Sequence, residues 1–258
     1  GKGRAGMTTK DEDFVSDLFV ASTHTPILFF TSKGLVHRMK VYQVPLGTPQ
    51  ARGKALVKML PLEANENVNV YLRLPENEEH WDKLDIMFAT SHGSVRRNKL
   101  TDFKNIRANG LIAMKLEGDE KLVSVKICHE EEDIMLATKL GKAIRFPVTD
   151  IRVFSGRTST GVRGIKLANK NDEVISMSVL KHLDVSPDER NAYLKASGAS
   201  EGVVIEETNL QLTPDRFQEM KSKEQFLLTV SNKGFGKRTS SYEYRLSGRG
   251  GQGVTNMS

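Results

Sequence analysis

Apolar residues along this chain gather in short runs with polar turn residues between them. Ile27-Leu28-Phe29-Phe30, Ile86-Met87-Phe88-Ala89, Ile134-Met135-Leu136-Ala137 and Leu227-Leu228-Thr229-Val230 are four such runs. Each leads through Thr or Ser into a turn that closes on Gly34, Gly93, Gly141 or Gly234. An arginine follows four residues after each glycine: Arg38, Arg97, Arg145 and Arg238. Short Ile/Phe/Leu/Val-rich runs bounded by turn residues predict strands, and glycine at the tight turn predicts a hairpin.

A second motif trails each hairpin. Ala51-Arg52-Gly53-Lys54-Ala55-Leu56-Val57 is followed by Gly110-Leu111-Ile112-Ala113-Met114-Lys115-Leu116, by Gly161-Val162-Arg163-Gly164-Ile165-Lys166-Leu167 and by Gly253-Val254-Thr255. Its glycine lies 19, 17, 20 and 19 residues after the turn glycine. A third apolar stretch comes next: Val68–Leu74, Leu122–Ile127 and Val174–Val179. Each unit therefore predicts about four strands, and a recurring four-stranded unit predicts a propeller-like, all-β architecture. About four blades are expected.

Hairpin-to-hairpin spacings are 59, 48 and 93 residues. The long spacing holds 182–222, which has no strand run of the repeating form. Short helices are expected there at Asp184–Ala196 and Pro214–Lys223, in a surface insertion between blades. Residues 1–13 read as a charged tail, and 14–258 as one β domain. The abrupt ends predict a fragment of a larger polypeptide.

Charge sharpens this picture. The chain carries a net charge of +6. The insertion holds eight acids (Asp184, Asp188, Glu189, Glu201, Glu206, Glu207, Asp215, Glu219) against four bases (Arg190, Lys195, Arg216, Lys221). The repeat body is thus near +10, an electrostatic footprint that suits a polyanion. Cations also flank the recurrent arginine: Lys33, His37, Lys40, Arg96, Lys99, Lys142 and Lys237. Arg52, Lys54, Arg107, Arg157, Arg163 and Arg249 lie in or near the second motif. If equivalent positions share one rim, these residues form a positive track for the phosphates of duplex DNA, which is held by charge neutralisation without base readout. The alternative is a set of solvated strand residues that guard sheet edges. The aromatics sit inside the apolar runs, which argues against a stacking platform for single strands.

No catalytic constellation accompanies these cations. The six histidines (His24, His37, His80, His92, His129, His182) lack metal-ligand spacing. The run His129-Glu130-Glu131-Glu132-Asp133 reads as a solvated turn. No glycine cluster has the strand–loop–helix setting of a nucleotide-binding motif. No cofactor, metal or small-molecule substrate is expected. Cys128 is the one cysteine, which fits a reducing compartment. No run approaches the roughly 18 apolar residues of a membrane helix, so a cytoplasmic location is expected.

The runs Lys10-Asp11-Glu12-Asp13-Phe14-Val15, Phe19-Val20-Ala21-Ser22-Thr23-His24, Met39-Lys40-Val41-Tyr42-Gln43-Val44-Pro45, Ala51-Arg52-Gly53-Lys54 and Leu60-Pro61-Leu62-Glu63 resemble the C-terminal domains of bacterial DNA gyrase A. Thr160–Ile165 and Gly234-Phe235-Gly236-Lys237-Arg238-Thr239 are similar to later blades of the same family. Topoisomerase IV C-terminal domains are the runner-up, and a propeller-like protein-docking module is the other reading. The resemblance implies a β-pinwheel of about six blades with strands exchanged between neighbours. It implies a non-catalytic domain that wraps double-stranded DNA and gives handedness to ATP-dependent negative supercoiling, alongside the rest of gyrase A and its partner gyrase B. The family's box Gln-Arg-Arg-Gly-Gly-Lys-Gly would retain only Gly1, Lys2 and Gly3 here.

Overall fold

The computed structural model describes residues 25–40, 60–198, 205–230 and 236–255. The chain forms two compact units: Gly1–His129 with Ile151–Gly164, and Glu130–Asp150 with Ile165–Ser258.

In the first unit, β1 (Pro26–Thr31) and β2 (Leu35–Lys40) form the first hairpin, with Leu28 opposite Arg38. β3 (Val68–Arg73) pairs with the outer side of β1. The next hairpin joins β4 (Asp85–Thr90) to β5 (Ser94–Lys99), with Met87 opposite Arg97. The short β6 (Leu111–Ile112), which follows the second hairpin, crosses to pair with β2 of the first. β7 (Leu122–Cys128) pairs with β4. Later in the chain, β10 (Val153–Phe154) and β11 (Val162–Arg163) pair with β5.

Side chains from both sheets close the core of this unit. Leu28, Phe30, Trp81, Ile86, Phe88 and Phe103 are all fully buried. Phe30 meets Phe88 edge-on at 5.7 Å, and Phe88 meets Phe103 at 5.6 Å.

The second unit repeats the plan. β8 (Asp133–Thr138) and β9 (Lys142–Pro147) form a hairpin, β12 (Val174–Leu180) pairs with β8, and β15 (Val254–Thr255) pairs with β9. β13 (Phe226–Val230) and β14 (Gly236–Ser240) form the fourth hairpin, with Leu228 opposite Arg238. The second motif is therefore an exchanged strand: every copy described completes the sheet of the preceding hairpin.

The insertion folds into two helices, α1 (Pro187–Ser197) and α2 (Pro214–Lys223). Ser186 caps α1 and Glu189 reciprocates, a capping box legible in Ser186-Pro187-Asp188-Glu189. Tyr193, Leu194 and Met220 pack with Tyr242 of the fourth repeat.

Glycine is required where an exchanged strand begins. Gly161 has φ +86°, and a Cβ there would stand 2.4 Å from the Val95 carbonyl oxygen. Gly253 repeats this over Ala143, with φ +73° and 2.5 Å. Only a residue without Cβ lets the two backbones approach this closely.

Candidate nucleic-acid interface

The four recurrent arginines hold one register position, opposite Leu28, Met87, Met135 and Leu228. The expectation that they form an exposed phosphate track is corrected for Arg97 and Arg145. Arg97 is 5% exposed and donates through Nε to Asp85 Oδ2 at 2.8 Å, with Nη2 at 2.7 Å from the same oxygen. Arg145 is 7% exposed and donates through Nε to Asp133 Oδ2 at 3.0 Å. Desolvation is offset at both places by a charge-assisted pair.

Their remaining donors reach the following repeat. Arg38 Nη1 donates to Lys104 O at 2.6 Å, Arg97 Nη1 to Ile151 O at 3.1 Å, and Arg145 Nη1 to Ser241 O at 2.8 Å. Each carbonyl lies just beyond the next hairpin. The position thus serves as a tie between repeats.

A signal for this lay in the sequence. Asp85 and Asp133 each stand twelve residues before their arginine, at the head of the apolar run. Pro26 and Phe226 occupy that place in the other two repeats. There the arginine is less buried. Arg38 pairs with Glu78 at 3.1 Å and lies 5.9 Å from the Trp81 ring centroid. Arg238 is exposed, its guanidinium 3.9 Å from the centroid of Phe226.

The preceding register position is corrected as well. Arg96 is fully buried and donates to Asn98 Oδ1, Arg157 O, Ser159 O and Ala113 O. Burial lowers its pKa to about 10, against the opposing pull of Asp102, so it stays charged at neutral pH. His37 is 2% exposed beneath Gly110, where a Cβ would lie 2.6 Å from the imidazole. Both residues pack against the loop that leads into an exchanged strand.

The other expected cations divide by exposure. Arg157 is half-buried and donates to Asp102 O at 3.0 Å. Lys33 pairs with Glu63, and Lys99 with Asp85 at 3.2 Å, both with well-exposed side chains. Arg107, Arg163 and Arg249 are exposed, and Lys40, Lys142 and Lys237 are half-exposed. Lys142 Nζ donates to Thr255 Oγ1 at 3.0 Å, and Arg249 Nε to Asp150 O at 3.0 Å. Arg52, Lys54, Gly1, Lys2 and Gly3 lie outside the described residues.

Two exposed lysines went unread. Lys115 and Lys166 each follow an exchanged strand by three residues, in Met114-Lys115-Leu116 and Ile165-Lys166-Leu167. The shared Lys-Leu was the available signal. Among the described residues, no group of three or more His, Cys, Asp and Glu is placed to hold a metal ion, and no helix is long and apolar enough to cross a membrane.

A family model described as DNA gyrase C-terminal domain, beta-propeller, matches residues 1–22, 25–70, 84–129, 132–181 and 225–258. The matched segments leave out the helical insertion. The DNA gyrase A protein of Rickettsia bellii is 49% identical over 264 residues, and that of Granulibacter bethesdensis is 46% identical over 277. Each alignment covers 100% of this chain and 29% of the relative, so the chain spans under a third of these proteins. The solved C-terminal domain of DNA topoisomerase IV matches with a TM-score of 0.61 at 17% identity, over 96% of this chain and 67% of that one. A DNA gyrase A C-terminal domain matches at 0.52 and 18% identity, over 92% and 79%. At such identities these two likenesses show the fold alone.

Proposed function

Because the chain belongs to the DNA gyrase C-terminal domain family, we propose that it is a non-catalytic module that binds, bends and wraps double-stranded DNA without reading its sequence. The observation that carries this reading is the family match, which recurs through all four hairpin repeats. Surface charge supports it. The cations left at the surface include Lys33, Lys99, Arg107, Lys115 and Arg163 in the first unit, and Lys142, Lys166, Lys237, Arg238 and Arg249 in the second. Exposed cations suit phosphates, which demand charge more than fixed geometry. Bending 20–30 base pairs costs several kcal/mol, offset by the added phosphate contacts.

In the whole enzyme, this module works with the rest of gyrase A and with gyrase B in the bacterial cytoplasm. It hands the DNA a preferred sense of crossing before ATP-dependent strand passage. The module itself needs no metal, cofactor or small-molecule substrate. The relatives at 46–49% identity are gyrase A proteins, which favours gyrase over topoisomerase IV.

Anisotropy titration of the chain with unrelated duplexes, in EDTA and without nucleotide, tests the proposal. Affinity is expected to be alike for all sequences and to fall by at least about tenfold between 50 and 200 mM salt. Salt-independent affinity, or a strong preference for one sequence, would overturn it.

A further inference from the structure

Arg96 stands at the junction of two exchanged strands. It is fully buried, with its guanidinium 4.8 Å from the centroid of the Phe88 ring. Nη1 donates to Arg157 O at 2.8 Å and to Ser159 O at 2.7 Å, in the loop that enters β11. Nη2 donates to Ala113 O, on the residue that follows β6. Nε donates to Asn98 Oδ1 at 2.8 Å. Four of the five N–H groups are thus satisfied. Three of those bonds go to backbone that arrives with two different strands. The two segments also meet directly, where Lys115 N donates to Ser159 O at 3.3 Å.

β6 completes the sheet of the first hairpin, and β11 pairs in the sheet of the second. Undocking β6 withdraws Ala113 O from Arg96, and undocking β11 withdraws Arg157 O and Ser159 O. Either event leaves a buried cation with donors unpaired, which is costly. The guanidinium is relieved only by leaving its site, and it then gives up the acceptors of the other strand.

Two other hairpins lack this clasp at the same register position. His37 lies opposite Phe29, as Arg96 lies opposite Phe88, and neither of its ring nitrogens has a hydrogen-bond partner. Ile144 lies opposite Leu136 and has no donor to offer. A cavity of about 240 Å³ lies beside it, lined in part by Ser247, Gly248 and Gly251 of the loop that enters β15.

We propose that Arg96 joins β6 and β11 into one cooperative unit, so that neither strand leaves its hairpin without releasing the other. β15 has no such clasp and opens independently. Arg107, Lys115 and Arg163 are exposed on the joined segments, so these surface cations keep a common register.

Hydrogen exchange by NMR on the full chain, in low urea and without DNA, tests the coupling apart from any DNA-binding role. The Ala113 and Met114 amides, which donate to Gly34 O, report on β6, and the Gly164 amide, which donates to Gly93 O, reports on β11. In the parent their opening constants should agree within about threefold and share one urea slope, as members of a single unfolding unit do. Val162→Gly weakens β11 and should speed exchange about two- to fivefold at Ala113 and Met114 as well as at Gly164. Arg96→Lys keeps the charge but loses the planar fork, and should separate the two openings by about tenfold. In that background Val162→Gly should reach Gly164 alone, with exchange at Val254 and Thr255 unchanged throughout. Separate openings in the parent, or a Val162→Gly effect confined to Gly164 there, overturn the proposal even if Arg96→Lys does not fold. Equal acceleration of all three amides in Arg96→Lys, as simple destabilisation would produce, overturns it too.

Discussion

Arg97 and Asp85 form a buried ion pair, 2.8 Å from Nε to Oδ2, with the two residues 5% and 2% exposed. Asp85 heads β4 and Arg97 lies near the end of β5, so the pair locks the hairpin across its open end. The same guanidinium then reaches Ile151 O in the segment that delivers β10. One side chain thus couples hairpin register to strand exchange.

Arg97→Met leaves the Asp85 carboxylate buried with Lys99 as its remaining partner. Removing one member of a buried pair costs about 3–5 kcal/mol. Urea unfolding should show a loss of that size, whereas Arg163→Gln, on the surface, should stay within about 0.5 kcal/mol of the parent. Equal effects of the two substitutions would contradict a structural role for Arg97.

The hairpins themselves were legible because their causes are local. An apolar run, a Thr or Ser and a turn glycine specify Pro26–Lys40, Asp85–Lys99 and Asp133–Pro147 without help from distant residues. The helices were legible too: α2 spans the expected Pro214–Lys223, and α1 begins at Pro187, three residues later than expected, because the Ser186 capping box fixes its start. Exchange was not readable from periodicity. A second motif at a fixed offset fits a strand in its own blade as well as one in the preceding blade, and only the observed pairings, β6 with β2, β11 with β5 and β15 with β9, separate these. The fate of the arginines was hidden for a similar reason. Whether Arg145 faces phosphate or Asp133 depends on a residue twelve positions earlier and on carbonyls about 100 positions later.

Gly161→Ala should undock an exchanged strand. Positive φ for a residue with Cβ stores about 1–3 kcal/mol, and the Val95 carbonyl oxygen would lie 2.4 Å from the new atom. Hydrogen exchange is expected to show lost protection at Val162–Gly164, including the Gly164 amide that donates to Gly93 O at 2.8 Å. Protection unchanged from the parent would mean that the close approach is not needed for exchange.

Two histidines should answer acid in opposite senses. Burial lowers the pKa of His37, against the opposing pull of Glu66. Its contribution is complete above the unfolded value near 6.5 and is lost as pH falls through the lowered folded value. Burial also disfavours charge on His182, but bonds to Asp184 and Asp133 outweigh it and raise the pKa. Its contribution is complete below 6.5 and is lost as pH rises through the raised value. Unfolding midpoints between pH 5 and 8 should therefore fall less toward acid in His37→Gln than in the parent. In His182→Gln the acid-side gain should disappear. Parallel pH profiles for parent and variants would show that neither site is linked to folding.

The division between tying arginines and surface lysines makes a sharper prediction about DNA. Each phosphate neutralised on a duplex releases counterions and adds about 0.9 to the magnitude of the log-log salt slope. Lys115 and Lys166 are exposed, occupy the same place after successive exchanged strands, and take no part in the arginine ties. Lys115 has only a loose pairing with Glu117 at 3.9 Å, a kind of contact that contributes little at a surface. The double variant Lys115→Gln, Lys166→Gln should fold with parent-like stability, bind all duplexes more weakly by a similar factor, and lower the slope by about 1.8. Arg97→Met and Arg145→Met should do the reverse: reduced stability, but the parent's slope for the fraction that remains folded. Anisotropy titrations over a range of salt concentrations, paired with urea curves for each variant, separate the two classes. A drop in slope caused by the buried arginines, with none from the lysines, would place the phosphates on the wrong residues.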